Sequence, residues 1–489
     1  MRALMYRWHR RLALLIALPV MALVIGGLMH PLMSHVWVPD MSPGAAPLPA
    51  LPAAEAVLSP QALLQRHQLI YVDQINLLEV DGEWLWQTVI YAGTAAESAD
   101  NSHSPYQEAM PPAVQSLRYF SALTGVEQAD GAARHAAALS RYWLDAPITQ
   151  SHVIDHFTRT YRSINRVLPV VQVQLNDPAG HHLYLDLIGQ RLIAVDHRWR
   201  RVGLQLFARL HNWDFLGERH DPRRLLPLLT VVGLTMVTLL LGVAQLLHGF
   251  FLRRSRPMTA RPRHVYLGLT LLVTTLAFTL SGFETALSQW HKETHFAWRA
   301  DTRAESEQMR INPLNYRHDN TVALSQAWLD GELFWQLRDR DAQGEDQIRY
   351  ISAAGGVLRA DADIAYAQAL LSQWLGGPVA LRDSSRRTTF GMDYPAIFTR
   401  LPVVRLALAE GPLATAFVET HSGHIAHITT PASAARAMRF LVLHKYHLLD
   451  GLGARGRDAV MSLAAIGVLL LALSGVLLRW RRWQRTNRA

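Results

Sequence analysis

Four apolar stretches without a single Asp, Glu, Lys or Arg constrain this chain more than any other feature: Leu12–Leu32, Leu225–Leu247, Val265–Phe283 and Ala459–Leu478. Each approaches the roughly 20 residues an α-helix needs to cross a bilayer. Arginines crowd one side of them. Arg2, Arg7, Arg10 and Arg11 precede the first stretch. Arg253, Arg254, Arg256, Arg261 and Arg263 fill the link between the second and third. Arg479, Arg481, Arg482, Arg485 and Arg488 follow the fourth. By the positive-inside rule, both termini and the short link face the cytoplasm. The long segments 33–222 and 285–457 then face outward, into the periplasm of a Gram-negative cell. Trp37, Trp290, Trp480 and Trp483 lie near the ends of the stretches, where interfacial tryptophan belongs. The net charge of +9 therefore reflects topology and not a nucleic-acid partner.

The two outward segments repeat one another. RYFSALTGV at Arg118–Val126 matches RYISAAGGV at Arg349–Val357, and DGEWLWQ at Asp81–Gln87 matches DGELFWQ at Asp330–Gln336. Trp143–Pro147 matches Trp374–Pro378, and Leu168–Val171 matches Leu401–Val404, in the same order. Four ordered matches indicate duplication. Nearer the membrane, Leu210-His211 matches Leu443-His444; His9 matches His264, and Gly27 matches Gly282. Each repeat crosses the membrane twice, so both keep one orientation, related by a pseudo-two-fold axis along the membrane normal. The first stretch, followed by the Ala/Pro-rich Pro39–Ala56, also has the outline of a cleavable signal peptide. The duplication argues for a retained span and a stiff linker.

The expected layout is a membrane protein with a four-helix transmembrane bundle and two large extracytoplasmic α+β domains. Residues 1–35 hold span 1, 36–56 the linker, 57–222 the first domain and 223–252 span 2. Residues 253–263 form the cytoplasmic loop, 264–290 span 3, 291–457 the second domain, 458–480 span 4 and 481–489 the tail. Val170–Leu175 and His182–Leu187 alternate as strands do, and Gly189 and Gly423 mark hairpin turns. Ala132–Leu144 and Ile364–Leu375 carry helical spacing. Each outward segment is expected to hold two small strand–helix units.

With no cysteine, the chain cannot hold a Cys-ligated iron–sulfur cluster, a thioether-linked haem or a disulfide. The one GxGxxG match, Gly451–Gly456, follows no strand and reads as a loop approaching span 4. No flavin, Walker-type, GxSxG or HExxH signature occurs.

The pattern resembles the PepSY-associated transmembrane family, the iron-regulated membrane proteins that include ferric-siderophore reductases. The carrying residues are the openings His9–Leu14 and His264–Leu269, the Ser-Gly pairs Ser281–Gly282 and Ser474–Gly475, and the Leu-His element before the last span. Tyr350–Gly356 and Val418–Gly423 look like the strand–turn ending of PepSY domains, usually D-x-x-T-G, here degenerate with Ser352 and Glu419 in place of Asp. The resemblance implies PepSY-like periplasmic domains, a bundle carrying one or two b-type haems, and iron-linked redox work in the bacterial inner membrane. Electrons would come from quinol or another donor, with a ferric siderophore as substrate.

Of 23 histidines, six are candidate haem ligands: His9 with His264 at the cytoplasmic face, His211 with His444 at the outer face, and the unpaired His30 and His248. Thr285 and Arg481 replace the last two in the other repeat, so pairings such as His30 with His444, or His9 with His248, stay open. Arg10, Arg11, Arg253 and Arg254 either set topology or meet haem propionates. His421, His424 and His427, on a strand and turn, are expected at the surface, as is the His181-His182 pair in a turn. Glu284, at the outer end of span 3, is a lone candidate for a cation or proton. Two other readings remain: a non-enzymatic membrane-anchored module that binds a periplasmic partner, and a transporter subunit. The spans offer the latter no paired charges or broken helices.

Overall fold

The structure, a computed structural model, describes residues 2–92, 114–252, 262–290, 298–360, 362–411 and 413–487. It divides into two compact units. A helical unit takes Met1–Val38, Arg198–Glu293 and Ala432–Ala489; a sheet unit takes Pro39–His197 and Thr294–Pro431.

In the helical unit, three helices are long and apolar enough to cross a membrane: Ala3–His35, Pro222–His248 and His447–Arg481. Helix closes every backbone hydrogen bond within the segment, which an apolar solvent requires. Pro222 opens its helix at the first position, where a missing N–H costs nothing, and the Asp221 carboxylate before it accepts from the Arg223 N–H at 2.8 Å. The third apolar stretch is a broken helix, Pro262–Thr270 and Leu272–Trp290, bent by 57° at Leu271, which corrects the expectation that the spans hold no broken helix; the pair together is apolar and long enough for one span. The Leu271 side chain packs against Gly467 of span 4, where a Cβ would come within 2.8 Å of it. The Thr270 and Thr275 hydroxyls donate back to the Tyr266 and Leu271 carbonyls, a habit that bends helices. Span 1 packs on spans 2 and 4, span 2 on Leu272–Trp290, and span 4 on Pro262–Thr270.

The sheet unit holds two five-stranded antiparallel sheets of one strand order. The first runs Gly44–Ala45, Arg191–Asp196, His182–Asp186, Val170–Leu175, Ile148–Ile154; the second runs Trp298–Arg299, His424–Thr429, Thr415–Glu419, Val403–Leu408, Leu381–Arg387. A meander precedes each. In both meanders the Asp-Gly of the sequence match forms the turn, with positive φ at Asp81 and Gly82 and at Asp330 and Gly331, the pair of left-handed residues that two-residue hairpins need. Helices Gly131–Trp143 and Ala362–Leu375 cover the sheets, as their spacing predicts; Leu370 and Leu371 sit among Val404, Leu406 and Val418.

Polar contacts recur at corresponding positions. The Gln87 side-chain amide donates to the Tyr119 hydroxyl at 2.8 Å, and that of Gln336 to the Tyr350 hydroxyl at 2.6 Å. The Tyr161 hydroxyl donates to the Val167 carbonyl, and that of Tyr394 to the Arg400 carbonyl. Leu168–Pro169 and Leu401–Pro402 are both cis. The helices after the five-stranded sheets, Arg198–Leu206 and Pro431–Leu443, belong to the helical unit.

Candidate functional site

Helix Arg198–Leu206 continues into a π-helical turn, Phe207–His211. Such a wide turn swings a side chain off the regular helical face and is common at functional sites. The His211 ring stacks on Phe207 at 4.9 Å, and the His444 ring on Phe440 at 4.8 Å. Glycine lets His211 approach span 1: a Cβ on Gly26 would lie 2.6 Å from the His211 backbone nitrogen. The His211 and His444 rings stand 6.2 Å apart, with planes 69° from parallel.

The other pair is arranged differently. His9 lies against Gly242 of span 2 and His264 against Gly475 of span 4. No ring contact joins His9 to His264 among the described residues.

One rule governs all four. His9 Nδ1 is 2.9 Å from the Thr238 carbonyl, and His211 Nδ1 is 2.8 Å from the Leu23 carbonyl. A carbonyl only accepts, so each Nδ1 carries the proton. In the second repeat a hydroxyl intervenes. His264 Nδ1 meets Ser474 Oγ at 2.7 Å, and His444 Nδ1 meets Ser281 Oγ at 3.0 Å. Ser474 donates its one proton to the Leu471 carbonyl, and Ser281 donates to the Ala277 carbonyl, 2.7 Å away in both cases. Each serine must therefore accept from histidine. With the serine protons on these carbonyls, each Nδ1 donates and the ring lone pair lies on Nε2, the form that outer hydrogen bonds impose on metal-ligating histidine.

His30 is not prepared in this way: its Nδ1 is buried with no hydrogen-bond partner. His248 is half-buried near the end of span 2 and bonds to no described residue. Arg10 and Arg11 lie over the rings of Tyr6 and Trp8, and Arg253 and Arg254 fall outside the described residues. Glu284 accepts from Nε and Nη2 along one edge of the Arg439 guanidinium, so its charge is already matched. No cluster of three or more His, Cys, Asp or Glu among the described residues suits a bare metal ion. Two imidazoles this close suit an iron whose remaining positions a macrocycle fills.

In the sheet unit, two expectations are corrected. His181 is buried, its Nδ1 on Asp177 at 2.8 Å, not solvated. His424 is buried too, and His427 stacks on Phe398 at 4.0 Å. Burial comes from the packing of distant segments, which a strand-and-turn reading does not report. Burial, then Arg338, holds His421 neutral, its pKa down at about 3; burial and Arg400 push His424 well below its usual range. Beside them Glu419 is buried yet stays ionised well below the usual carboxylate range. Arg191 and Arg400 outweigh its desolvation.

These groups predict acid sensitivity. A histidine depressed on folding takes up a proton on unfolding, so stability falls as pH drops from 6.5 toward about 3. Glu419, also depressed, acts in the same direction below 4.5. Thermal unfolding followed by tryptophan fluorescence should show the midpoint falling through this window; a flat midpoint would refute the argument.

A comparison with known protein families finds no matching model, and no curated protein matches the chain.

Proposed function

We propose that this chain is a bacterial inner-membrane protein that binds b-type haem and passes electrons outward to a ferric chelate such as a ferric siderophore. In this reading the four apolar segments form one bundle with cytoplasmic termini, built from two parallel repeats. The sheet unit forms the periplasmic, PepSY-like docking surface. The observation that carries the reading is the hydrogen bond that Nδ1 makes in each of His9, His211, His264 and His444, with the His211 and His444 rings 6.2 Å apart. Two imidazoles that share one metal through nitrogens at about 2 Å have centroids roughly 6 Å apart.

His211 and His444 would hold the outer haem, with Phe207 and Phe440 fixing their rings. His9 and His264 would serve the inner face. Haem, when bound, supplies one-electron exchange between ferrous and ferric iron. The residues around it orient Nε2, exclude water through the apolar spans and keep the Nδ1 proton in place. Reducing a ferric siderophore releases the metal, because such chelators hold Fe(II) far less tightly. Quinol or a partner protein is the donor, since no nucleotide motif is present.

The test is the visible spectrum of protein purified from haem-replete cells. A Soret band that sharpens and shifts on dithionite is expected. Colourless protein would refute the reading and favour a non-enzymatic module that binds a periplasmic partner. A finer expectation concerns Ser281→Ala, which leaves His444 in place but removes its hydroxyl. Loss of an outer partner of this kind lowers metal affinity about 10- to 100-fold. Haem should therefore be lost faster to apomyoglobin than from the parent protein.

A further inference from the structure

The sheet unit contains a pocket that the electron-transfer reading does not use. Its walls include Arg191, Arg338 and Arg340 from both halves of the chain, with Glu419 and His421. The carboxylates nearby are already committed. Glu419 accepts from Arg191 at 2.7 Å and from Arg400 at 2.5 Å, and the Ser422 hydroxyl also donates to it. Asp346 accepts from Arg340 at 2.9 Å. Arg338 has only a long ion pair with Asp346, which it shares with Arg340. Its side chain is only 13% exposed, Nε is fully buried with no hydrogen-bond partner, and Nη1 lies 3.7 Å from Asp346, beyond hydrogen-bonding distance. Arg386, which donates to the Asp346 backbone carbonyl, also keeps Nε and Nη2 buried without a partner.

Nε is closed off from any outside atom, so an anion in the pocket would meet Arg338 through its Nη nitrogens, which make no hydrogen bond among the described residues. The planar fork of Arg fits a carboxylate edge on. The His421 ring lines this pocket and its neighbour.

We propose that this pocket binds a carboxylate group of an anionic ligand, with Arg338 as the principal contact and Arg340 at its lip. Taking that ligand to be a carboxylate-bearing ferric chelate rests on the electron-transfer reading; the anion site itself does not. Arg191 stays bound to Glu419 and shapes the wall.

The probe is citrate, titrated calorimetrically into the full-length protein in detergent. Saturable binding is expected, weakening as salt is raised. Arg338→Gln should weaken it tenfold or more, while Arg338→Lys, which keeps the charge, retains part of it. Should Arg338→Gln fail to fold, Arg340→Gln is the second variant, with a several-fold loss expected. Absence of saturable binding, or an affinity unchanged in the variant that folds, overturns the proposal. Haem-free protein that binds citrate through Arg338 supports the site and refutes the electron-transfer reading. Haem-loaded protein blind to citrate overturns the site alone.

Discussion

His211→Ala and His444→Ala should each remove the same low-spin b-type signal from the reduced-minus-oxidised spectrum. In the proposed reading one iron lies between the two rings, 6.2 Å apart, and needs both, so the single variants should resemble one another and the double variant. Two independent sites would instead give additive losses. His30→Ala provides the contrast. That ring lacks the orienting bond at Nδ1 that the four symmetric histidines share, so its loss should leave the low-spin signal in place. If His30→Ala abolishes the signal and His211→Ala does not, the assignment of the outer pair is wrong. His9→Ala and His264→Ala should act on a separate signal, because no ring contact joins the inner pair to the outer one among the described residues.

Glu419→Gln carries the largest expected cost to stability. Arg191 belongs to the first half of the chain, while Glu419 and Arg400 belong to the second, and the Glu419 carboxylate bridges both arginines at under 10% exposure, with Asp186 also on Arg191. Without it, Arg400 loses its carboxylate partner and Arg191 keeps only Asp186, 3.1 Å from its Nε. Breaking a buried pair from one side costs about 3–5 kcal/mol. Chemical unfolding of the sheet unit, followed by tryptophan fluorescence, should show a loss of that order. Removing Arg400 together with Glu419 should cost less than the two single changes summed, since the pair is coupled. Full additivity would mean the carboxylate is not the bridge between the two sheets.

Much of the architecture is legible in the sequence, for a physical reason. Apolar runs and strand alternation are local signals, and similar segments in the two halves present many of them twice. The Asp-Gly turns, the matched strands and helices Gly131–Trp143 and Ala362–Leu375 all fall where the repeats place them. What escapes the sequence is set by contacts between distant residues. The bend at Leu271 has no proline at the break; it depends on Gly467, far along the chain. His424 lies in a strand that reads as half-exposed until Arg400 and Glu419 pack around it.

The candidate site divides in the same way. The six histidines can be chosen by position and repeat symmetry, but their tautomers cannot. The Ser-Gly pairs were visible as part of a resemblance. Only the geometry shows Ser281 and Ser474 accepting from His444 and His264. Phe207 and Phe440 could have been found from the sequence, since each stands four residues before its histidine in both repeats.

The serine bridges have a consequence for how such a chain can diverge. In the first repeat the partners of His9 and His211 are main-chain carbonyls, which every residue type supplies and no point mutation deletes. In the second repeat the partners are side-chain hydroxyls, each the product of a single codon. Every symmetric pair thus joins one histidine whose support is indelible to one whose support is heritable and editable. In the proposed reading, ligand basicity, and with it the driving force for electron release, would drift through Ser281 and Ser474 while the histidines themselves stay unchanged.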